Sequence, residues 1–581
     1  MRRLAGILFV VAMAFVSAGT ARTADFPEKW LFYTADLSKP EQVDRSVAMM
    51  KEAKEAGCTH VLFNEPITTD VMSPTPEYRA AARRIVDAAK AQGIELVMNV
   101  FSIGYSGKYI VRDANLAAGL PVKDVPFVVK DGMAWPDPST APSLANPGFE
   151  EFAGEKLTGW EIESSGGGIS IDKSTKHSGA ASLKVADIAQ ARDTGRRRWS
   201  GPQALAKQRF SVKPFQYYRV TVWIKTENLK ADPEGYINVS AVDGTRQLKY
   251  TNLTVKPTED WTQHETVFNT LESTDVEFSV GLSSYGGGTA WFDDLKIEPA
   301  GLLNVVVREA TPFKVMSADG KMTYAVGRDY DGVRPSTANE IYKHVAVARP
   351  LLLPLTTRIK DGDRLLVSYF HTVLIYADQL GCSLEDPAVF EMMDRNMKNA
   401  AEIWGTKDYM MNYDEIRIGG WENQPGGAHL KPGELLAQHV AKAVQIARKY
   451  VPDATLYTWS DMFSSRGNAA PFERRHAYYY LVNGNWDGSW EGLPKDVVIL
   501  SWNGGAAGLQ WYAERGHKQI IAGYYDSDPK RSIDRWMSAS KGVTCIIGFM
   551  YTTWKEDYSR MNEFFTYLKE YKYPDVESTP R

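Results

Sequence analysis

The chain begins as alternating strands and helices, drops that pattern over 143–300, and then takes it up again. An apolar strand at Trp30 to Ala35 leads to an amphipathic run at Pro40 to Ala56, then a strand at His60 to Phe63 ending in Asn64-Glu65-Pro66. A helical stretch near Tyr78 to Gln92 and a strand at Ile94 to Phe101 follow. Successive units of this kind imply parallel strands joined by helical crossovers, because parallel neighbours cannot be linked by a tight turn. Between Ser143 and Pro299 helical periodicity disappears. Period-2 segments replace it at Ala181 to Val185, Tyr217 to Lys225, Glu265 to Phe268, Val276 to Gly281 and Trp291 to Ile297. Glycine turns around Ser164 to Gly168 and Ser284 to Gly288 separate some of them, as in an all-β sandwich.

Alternation resumes with strand candidates at Leu365 to Tyr369, Tyr409 to Tyr413, Thr455 to Trp459, Val497 to Trp502, Gln519 to Tyr524 and Cys545 to Tyr551. Helical runs include Pro387 to Ile403 and Gly433 to Lys449. The predicted fold is α/β, a (β/α)8 TIM-like barrel with an inserted all-β jelly-roll sandwich. Its parts are a signal peptide at 1–24, the first part of the barrel at 25–142, the sandwich at 143–300 and the remainder of the barrel at 301–581. Three strands before the insert and six after it exceed by one the eight such a barrel takes. Leu303 to Tyr330 reads as short antiparallel strands packed at the barrel mouth.

Arg2 and Arg3, an apolar run from Leu4 to Val16, and small residues at Ala18, Ala21 and Ala24 have the order of a secretory signal, so a secreted or periplasmic protein is expected. That run is short for a membrane span, and no later stretch of that length is free of charges. Cys58, Cys382 and Cys545 are far apart and suggest neither a disulfide framework nor a zinc site. A net charge of −4 argues against a nucleic-acid partner. The 16 Trp and 29 Tyr point instead toward sugars, whose C–H faces pack on flat rings.

Asp408 to Glu415 reads as a buried strand ending in two adjacent acids, Asp414 and Glu415. At the carboxyl end of a barrel strand, beside apolar rings, one acid of such a pair can hold a proton while the other stays ionised, which glycoside cleavage requires. Neighbouring strand residues face opposite ways, so both reach one pocket only if the chain turns there, and Gly419 and Gly420 make a turn credible. Trp459, Trp502 and Trp554 recur at later strand ends as a saccharide cage. Further substrate-binding candidates are Tyr33, His371, Asn503, Tyr525 and the pair's leaders, Asn412 and Tyr413. Glu65, Asp461 and Glu556 are candidate second carboxylates for direct displacement. A loop at Asn483 to Asp487, with Trp490, is placed to cover the pocket. No catalytic cofactor is expected, and the partner expected is a polysaccharide or glycan.

Two resemblances sharpen this. Asn146-Pro-Gly-Phe-Glu150, Gly159-Trp160, Ser178 to Leu183, Tyr218 to Thr226 and Ala290 to Leu295 resemble, in order, carbohydrate-binding modules of the family 4/9 type. The likeness implies a jelly roll and a structural calcium held by Glu150 and Asp293, whose hard oxygens suit that ion. Trp160, Tyr217, Trp261 and Tyr285 would form a stacking surface, with Trp223 and Phe292 in the core; the alternative is a sandwich that only shapes the barrel's cleft. The Asp414-Glu415 pair with the later tryptophans resembles the family 20 β-N-acetylhexosaminidases. That likeness implies Glu415 as general acid/base and Asp414 as the carboxylate that orients and stabilises a participating 2-acetamido group. Asn412-Tyr413 replaces the family's His-x-Gly, and the first-strand arginine is missing from Phe32 to Asp36. A direct-displacement glycosidase and a non-catalytic glycan-binding protein are the other readings.

Overall fold

The structure, a computed structural model, describes residues 26–571 apart from 67–70, 155, 165–167, 187–202, 230–235, 243–245, 252, 284–286, 343–347, 377–378, 424–429 and 470–480. The signal-peptide segment and Tyr285 lie outside the described residues. Eight parallel strands close into a barrel. In chain order they are β1 (Glu28–Thr34), β2 (His60–Asn64), β3 (Glu95–Val100), β4 (Asp408–Met411), β5 (Thr455–Trp459), β6 (Val498–Ser501), β7 (Gln519–Ala522) and β8 (Ile546–Thr552).

The expected (β/α)8 TIM-like fold is nonetheless corrected. No α-helix joins β5 to β6 among the described residues, where short 3-10 turns at Asp461–Phe463 and Ser489–Gly492 stand instead. The link from β3 to β4 carries four further β-sheets, one of them the two-stranded pair Phe152–Ala153 and Lys156–Leu157, and the short helices Gly107–Ile110 and Ala338–Tyr342 before the long helix Pro387–Trp404. The nine α-helices of the described residues therefore do not form the one-per-strand ring, and most strands of the described residues lie outside the barrel. Where helices do follow strands, their boundaries have local causes. Pro76–Gln92 starts on Thr75, whose side chain accepts the Tyr78 N–H, and stops at Gly93 in the left-handed region. Pro387–Trp404 is capped by Asp386 and ends at Gly405 in the same way.

Strand alternation sets what faces the barrel axis. Trp30, Phe32, Leu62, Val97, Met410, Tyr457, Trp459, Leu500, Ile520 and Met550 fill the interior as one apolar cluster. Their neighbours Leu31, Tyr33, Phe63, Met98, Tyr409, Met411, Ile499, Ile521 and Tyr551 join the larger core under the helices.

Between β3 and β4 lie two five-stranded antiparallel sheets. One runs in the order Glu259–Asn269, Tyr217–Glu227, Thr289–Pro299, Ser182–Ala186, Gly168–Asp172; the other Gln247–Thr251, Ile237–Ala241, Asp275–Ser283, Gln203–Ser211, Glu161–Ser164. Their inner faces share a core that includes Val220, Val222, Ile224, Ile237, Phe278 and Phe292. A third, seven-stranded antiparallel sheet pairs Leu120–Lys130 with Arg364–His371 and takes in Lys314–Ser317 and Thr323–Tyr324. The supernumerary strand of the sequence, Leu365 to Tyr369, belongs here and not to the barrel. Residues 120–136, grouped by the sequence with the first part of the barrel, also lie in this sheet.

Candidate functional site

At the carboxyl ends of the barrel strands opens a cavity of about 590 Å³. Phe32, Trp459, Trp502, Trp554 and Tyr525 line one side of it. Ring centroids lie 5.3 Å apart for Phe32–Trp554, 6.2 Å for Trp459–Trp554 and 6.1 Å for Tyr525–Trp554, which makes a continuous aromatic wall. Polar groups line the rest: Asn64, Glu65, Asn99, Ser102, Tyr105, Lys108, Asn412, Asp414 and Glu415. Alternation explains the inward set, since Asn412 and Asp414 continue the parity of Met410, and Trp502 that of Leu500.

Glu415 breaks the parity. Its φ is 44°, a left-handed value that turns the chain so that adjacent acids reach one cavity. The turn thus sits on Glu415 itself and not on Gly419. Gly419 instead makes room for Trp486, whose ring would lie 2.7 Å from an added Cβ. Phe101, Asp526 and Glu556, also just beyond barrel strands, have positive φ as well. Such conformations cost roughly 1–3 kcal/mol each and gather where function demands a particular side-chain direction.

The pair is held differently at its two carboxyls. Glu415 Oε2 accepts from the Arg417 guanidinium at 2.6 Å and from the Tyr105 hydroxyl at 3.1 Å. Arg417 is itself buried and donates to Gln379 Oε1 at 2.6 Å. Gln379 Nε2 donates to the carbonyls of Gly104 and Glu415, both at 2.9 Å. Burial raises the Asp414 carboxyl well above the usual range; the charges of Asp461 and Glu415 add to the rise and Arg417 opposes it. Asp461 is fully buried outside the cavity lining, and its Oδ2 accepts the Glu415 N–H at 2.8 Å. Burial first and the Glu415 charge second push its carboxyl up to about 7.

Linkage gives that shift a sign. Asp461 is protonated in the folded chain at a pH where the unfolded chain has already released the proton, so its contribution to stability is present at low pH and lost as pH rises through about 7. The melting temperature of the protein is expected to fall between about pH 4 and 7, and Asp461→Asn, which mimics the protonated acid, to flatten that fall. Equal pH slopes for the two proteins would refute the assignment.

The other sequence candidates divide. Glu65 lines the cavity, 3.9 Å from the Lys108 ammonium and 2.6 Å from the Tyr78 hydroxyl. Asn412 accepts from Trp459 Nε1 at 3.1 Å. Tyr413 faces outward, its hydroxyl 2.7 Å from His439 Nδ1, and Tyr33 packs outward on Phe63 and Tyr558. Both follow inward residues, so parity takes them out of the site. Glu556 shares an open pocket with Tyr33 and Arg45 away from the acids. Asn503 is outside the lining and accepts from Ser460 Oγ at 3.0 Å. His371 is buried in the antiparallel sheet, stacked 3.6 Å from the Tyr217 ring, and burial lowers its pKa to about 3. The loop expected over the pocket is behind it, where Trp486 Nε1 donates to the Ile416 carbonyl at 2.9 Å. Tyr105, Lys108, Gln379, Asn64, Asn99 and Arg417 were not singled out by sequence; only Arg417, two residues from the pair, carried a local signal.

In the sandwich, Trp160 and Tyr217 are buried, and Trp223, expected in the core, is half-buried with His177 stacked 3.8 Å from it. Glu150 and Asp293 grip one loop: Glu150 accepts the Ala180 N–H at 2.5 Å, and Asp293 the His177 and Ser178 N–H groups at 2.8 and 3.2 Å. Asp293 thereby spends its oxygens on amides, and the carboxylate that nears Glu150 is Asp294; each lies within 3.7 Å of the Cβ position at Gly148. Two carboxylates fall short of the roughly six to eight oxygens calcium takes, and among the described residues no group of three or more acidic, His or Cys side chains is placed to hold a metal ion. These side chains alone do not fit a calcium cage. No helix of the described residues is long and apolar enough to cross a membrane.

No curated protein matches the chain. Among solved structures, the rhamnosidase from Novosphingobium sp. PP1Y covers 94% of this chain and 58% of its own, at 10% identity and a TM-score of 0.30. TmCBM61, solved with β-1,4-galactotriose, covers 27% of this chain and 97% of its own, at 18% identity and a TM-score of 0.20. The CBM22-1 xylan-binding domain of Paenibacillus barcinonensis Xyn10C covers 26% and 90%, at 14% identity and a TM-score of 0.19. Scores this low carry no argument about function. Residues 141–285, most of the sandwich, match the family model of a carbohydrate binding domain (CBM_4_9).

Proposed function

We propose that the protein is a glycoside hydrolase acting on a complex glycan. The observation that carries the reading is that Asp414 and Glu415 open together onto one aromatic-walled cavity at the barrel mouth. The carbohydrate-binding-domain match in the same chain supports a glycan as the partner. The roles we assign reverse those implied by the hexosaminidase resemblance. Asp414, desolvated and flanked by two other carboxylates, is the proton donor to the departing oxygen. Glu415, ion-paired to Arg417, is the anion that faces the developing charge on the sugar. Glu65 is the remaining carboxylate on the cavity wall, and the aromatic rings hold the sugar face.

A panel of aryl glycosides, with and without 2-acetamido groups, tests the reading. Release of the aryl group from at least one member is expected, at a rate above that of the uncatalysed control. Inhibition by a thiazoline analogue would identify a participating acetamido group. Binding of glycans without release from any member would favour the non-catalytic alternative.

A further inference from the structure

The two-sheet sandwich meets the barrel through the very segments that hold Glu415. Lys249, on the strand Gln247–Thr251, is buried, and its ammonium donates to the Leu374 carbonyl at 2.8 Å. The sandwich core does not stop at the sandwich: Val373, Ile375, Ile418 and Leu481 belong to the same apolar cluster as Val222, Ile237 and Leu248. Nearby, the Arg246 guanidinium donates to the Val482 carbonyl at 2.7 Å and lies 5.5 Å over the Trp421 ring. Phe215 meets the same ring edge-on at 6.3 Å.

From these contacts a short chain of bonds leads to the carboxylate. The turn after Leu374 is closed by Ile375 N–H to the Gln379 carbonyl and Gln379 N–H to the Tyr376 carbonyl, both 2.9 Å. Gln379 then holds Arg417 by its oxygen and the Gly104 and Glu415 carbonyls by its nitrogen. On the other side, Leu481 N–H donates to the Arg417 carbonyl at 2.6 Å, and Ile418–Gly419 pairs with Leu481–Val482. The two segments that fix Arg417 are thus each pinned by a cation of the sandwich, Lys249 on one and Arg246 on the other.

We propose that the sandwich is a fixed buttress behind the pocket and that Lys249 and Arg246 are positioning residues for the Glu415 carboxylate, acting through Gln379 and Arg417. The part of the proposal that concerns turnover rests on the hydrolase reading; the mechanical part does not. A glycan-binding unit that merely delivers the enzyme to its substrate would need no buried cation reaching into the barrel loops. Displacing a reacting group by about 1 Å costs about 100-fold in rate, so a partial loss of this anchoring is visible in turnover.

The test uses the full-length chain. Lys249→Met keeps the unbranched stem of the side chain and removes the donor; kcat on a hydrolysed glycoside is expected to fall about tenfold with KM within about twofold, and Lys249→Arg to recover most of the loss. The acidic limb of kcat/KM is expected to move to higher pH in Lys249→Met, because a carboxylate whose cation has shifted takes up a proton more readily. The charged and titratable groups facing Glu415 include Arg417, Tyr105, Asp414 and Asp461. An unchanged kcat and pH profile in a folded Lys249→Met protein would overturn the positioning role. Should that variant fail to fold, Arg246→Gln, expected to lower kcat about threefold, decides the same question. Calorimetry decides the mechanical part without any activity: one cooperative unfolding transition for the wild-type chain supports the fixed buttress, and two separate transitions overturn it.

Discussion

Replacing Glu415 with glutamine is expected to lower kcat by about 10²–10⁴-fold while leaving the fold in place. Glutamine has the shape of glutamate and keeps an oxygen for Arg417 and Tyr105, but not the charge. Two electrostatic consequences oppose one another. Arg417 loses its ion partner at 2.6 Å, a costly change for a buried cation. Against that, Asp414 and Asp461 each lose a repelling neighbour, and Arg417 keeps the Gln379 oxygen. The melting temperature should therefore stay within a few degrees of wild type. The choice of substrate separates the two possible roles. Glycosides with leaving groups that need no protonation would restore turnover if Glu415 were the acid; with Asp414 as the acid, the loss in Glu415→Gln persists on them. Wild-type rates in a folded Glu415→Gln protein would remove the pair from the chemistry altogether.

How far the site could be read in the sequence follows from the reach of each signal. Period-2 alternation is local, and it places Trp459, Trp502, Asn412 and Asp414 on the cavity with one rule. The same rule, applied strictly, excludes Tyr33 and Tyr413, since each follows an inward residue. Glu415 defies it because its backbone turns left-handed, and nothing in a glutamate announces that. His371 was drawn in by its place at the end of a strand, and the surplus strand in the count was the warning that one segment lay elsewhere. Gln379, Tyr105 and Lys108 had no local signal at all. Their roles arise where distant segments meet, and Gln379 reaches Glu415 across 36 residues of sequence. The barrel strands were legible because buried parallel strands are continuous apolar runs bracketed by helices. What replaced the helix between β5 and β6 was not legible, nor was the seven-stranded sheet that takes residues from both sides of the insert. A pairing such as Val128 with Arg364 leaves no periodic trace in either strand.

Gly104→Ala should be the most damaging single methyl addition in the pocket. A Cβ at that position would lie 1.5 Å from the Asp414 carbonyl oxygen and 2.5 Å from its carbon, both backbone atoms with no rotamer to yield. No left-handed φ is involved at residue 104, so the glycine is required for space alone. Relief demands that the segment after β3 and the segment after β4 part by about 1.5 Å, toward ordinary contact distance. Three hydrogen bonds tie them together at that point: Ile103 N–H to the Asn412 carbonyl at 3.1 Å, and Gln379 Nε2 to the Gly104 and Glu415 carbonyls, both at 2.9 Å. Overpacking of this kind costs about 1–3 kcal/mol where a core can adjust, and here the yielding part is the strand end that aims both acids. Activity is expected to fall at least about 100-fold with a lowered melting temperature, the activity loss exceeding any loss of folded protein. Gly332→Ala, whose Cβ would meet only a Val326 methyl at 3.7 Å, serves as the neutral comparison. A Gly104→Ala protein with turnover within a few-fold of wild type would mean that the separation of these two strand ends does not set the geometry of the pair.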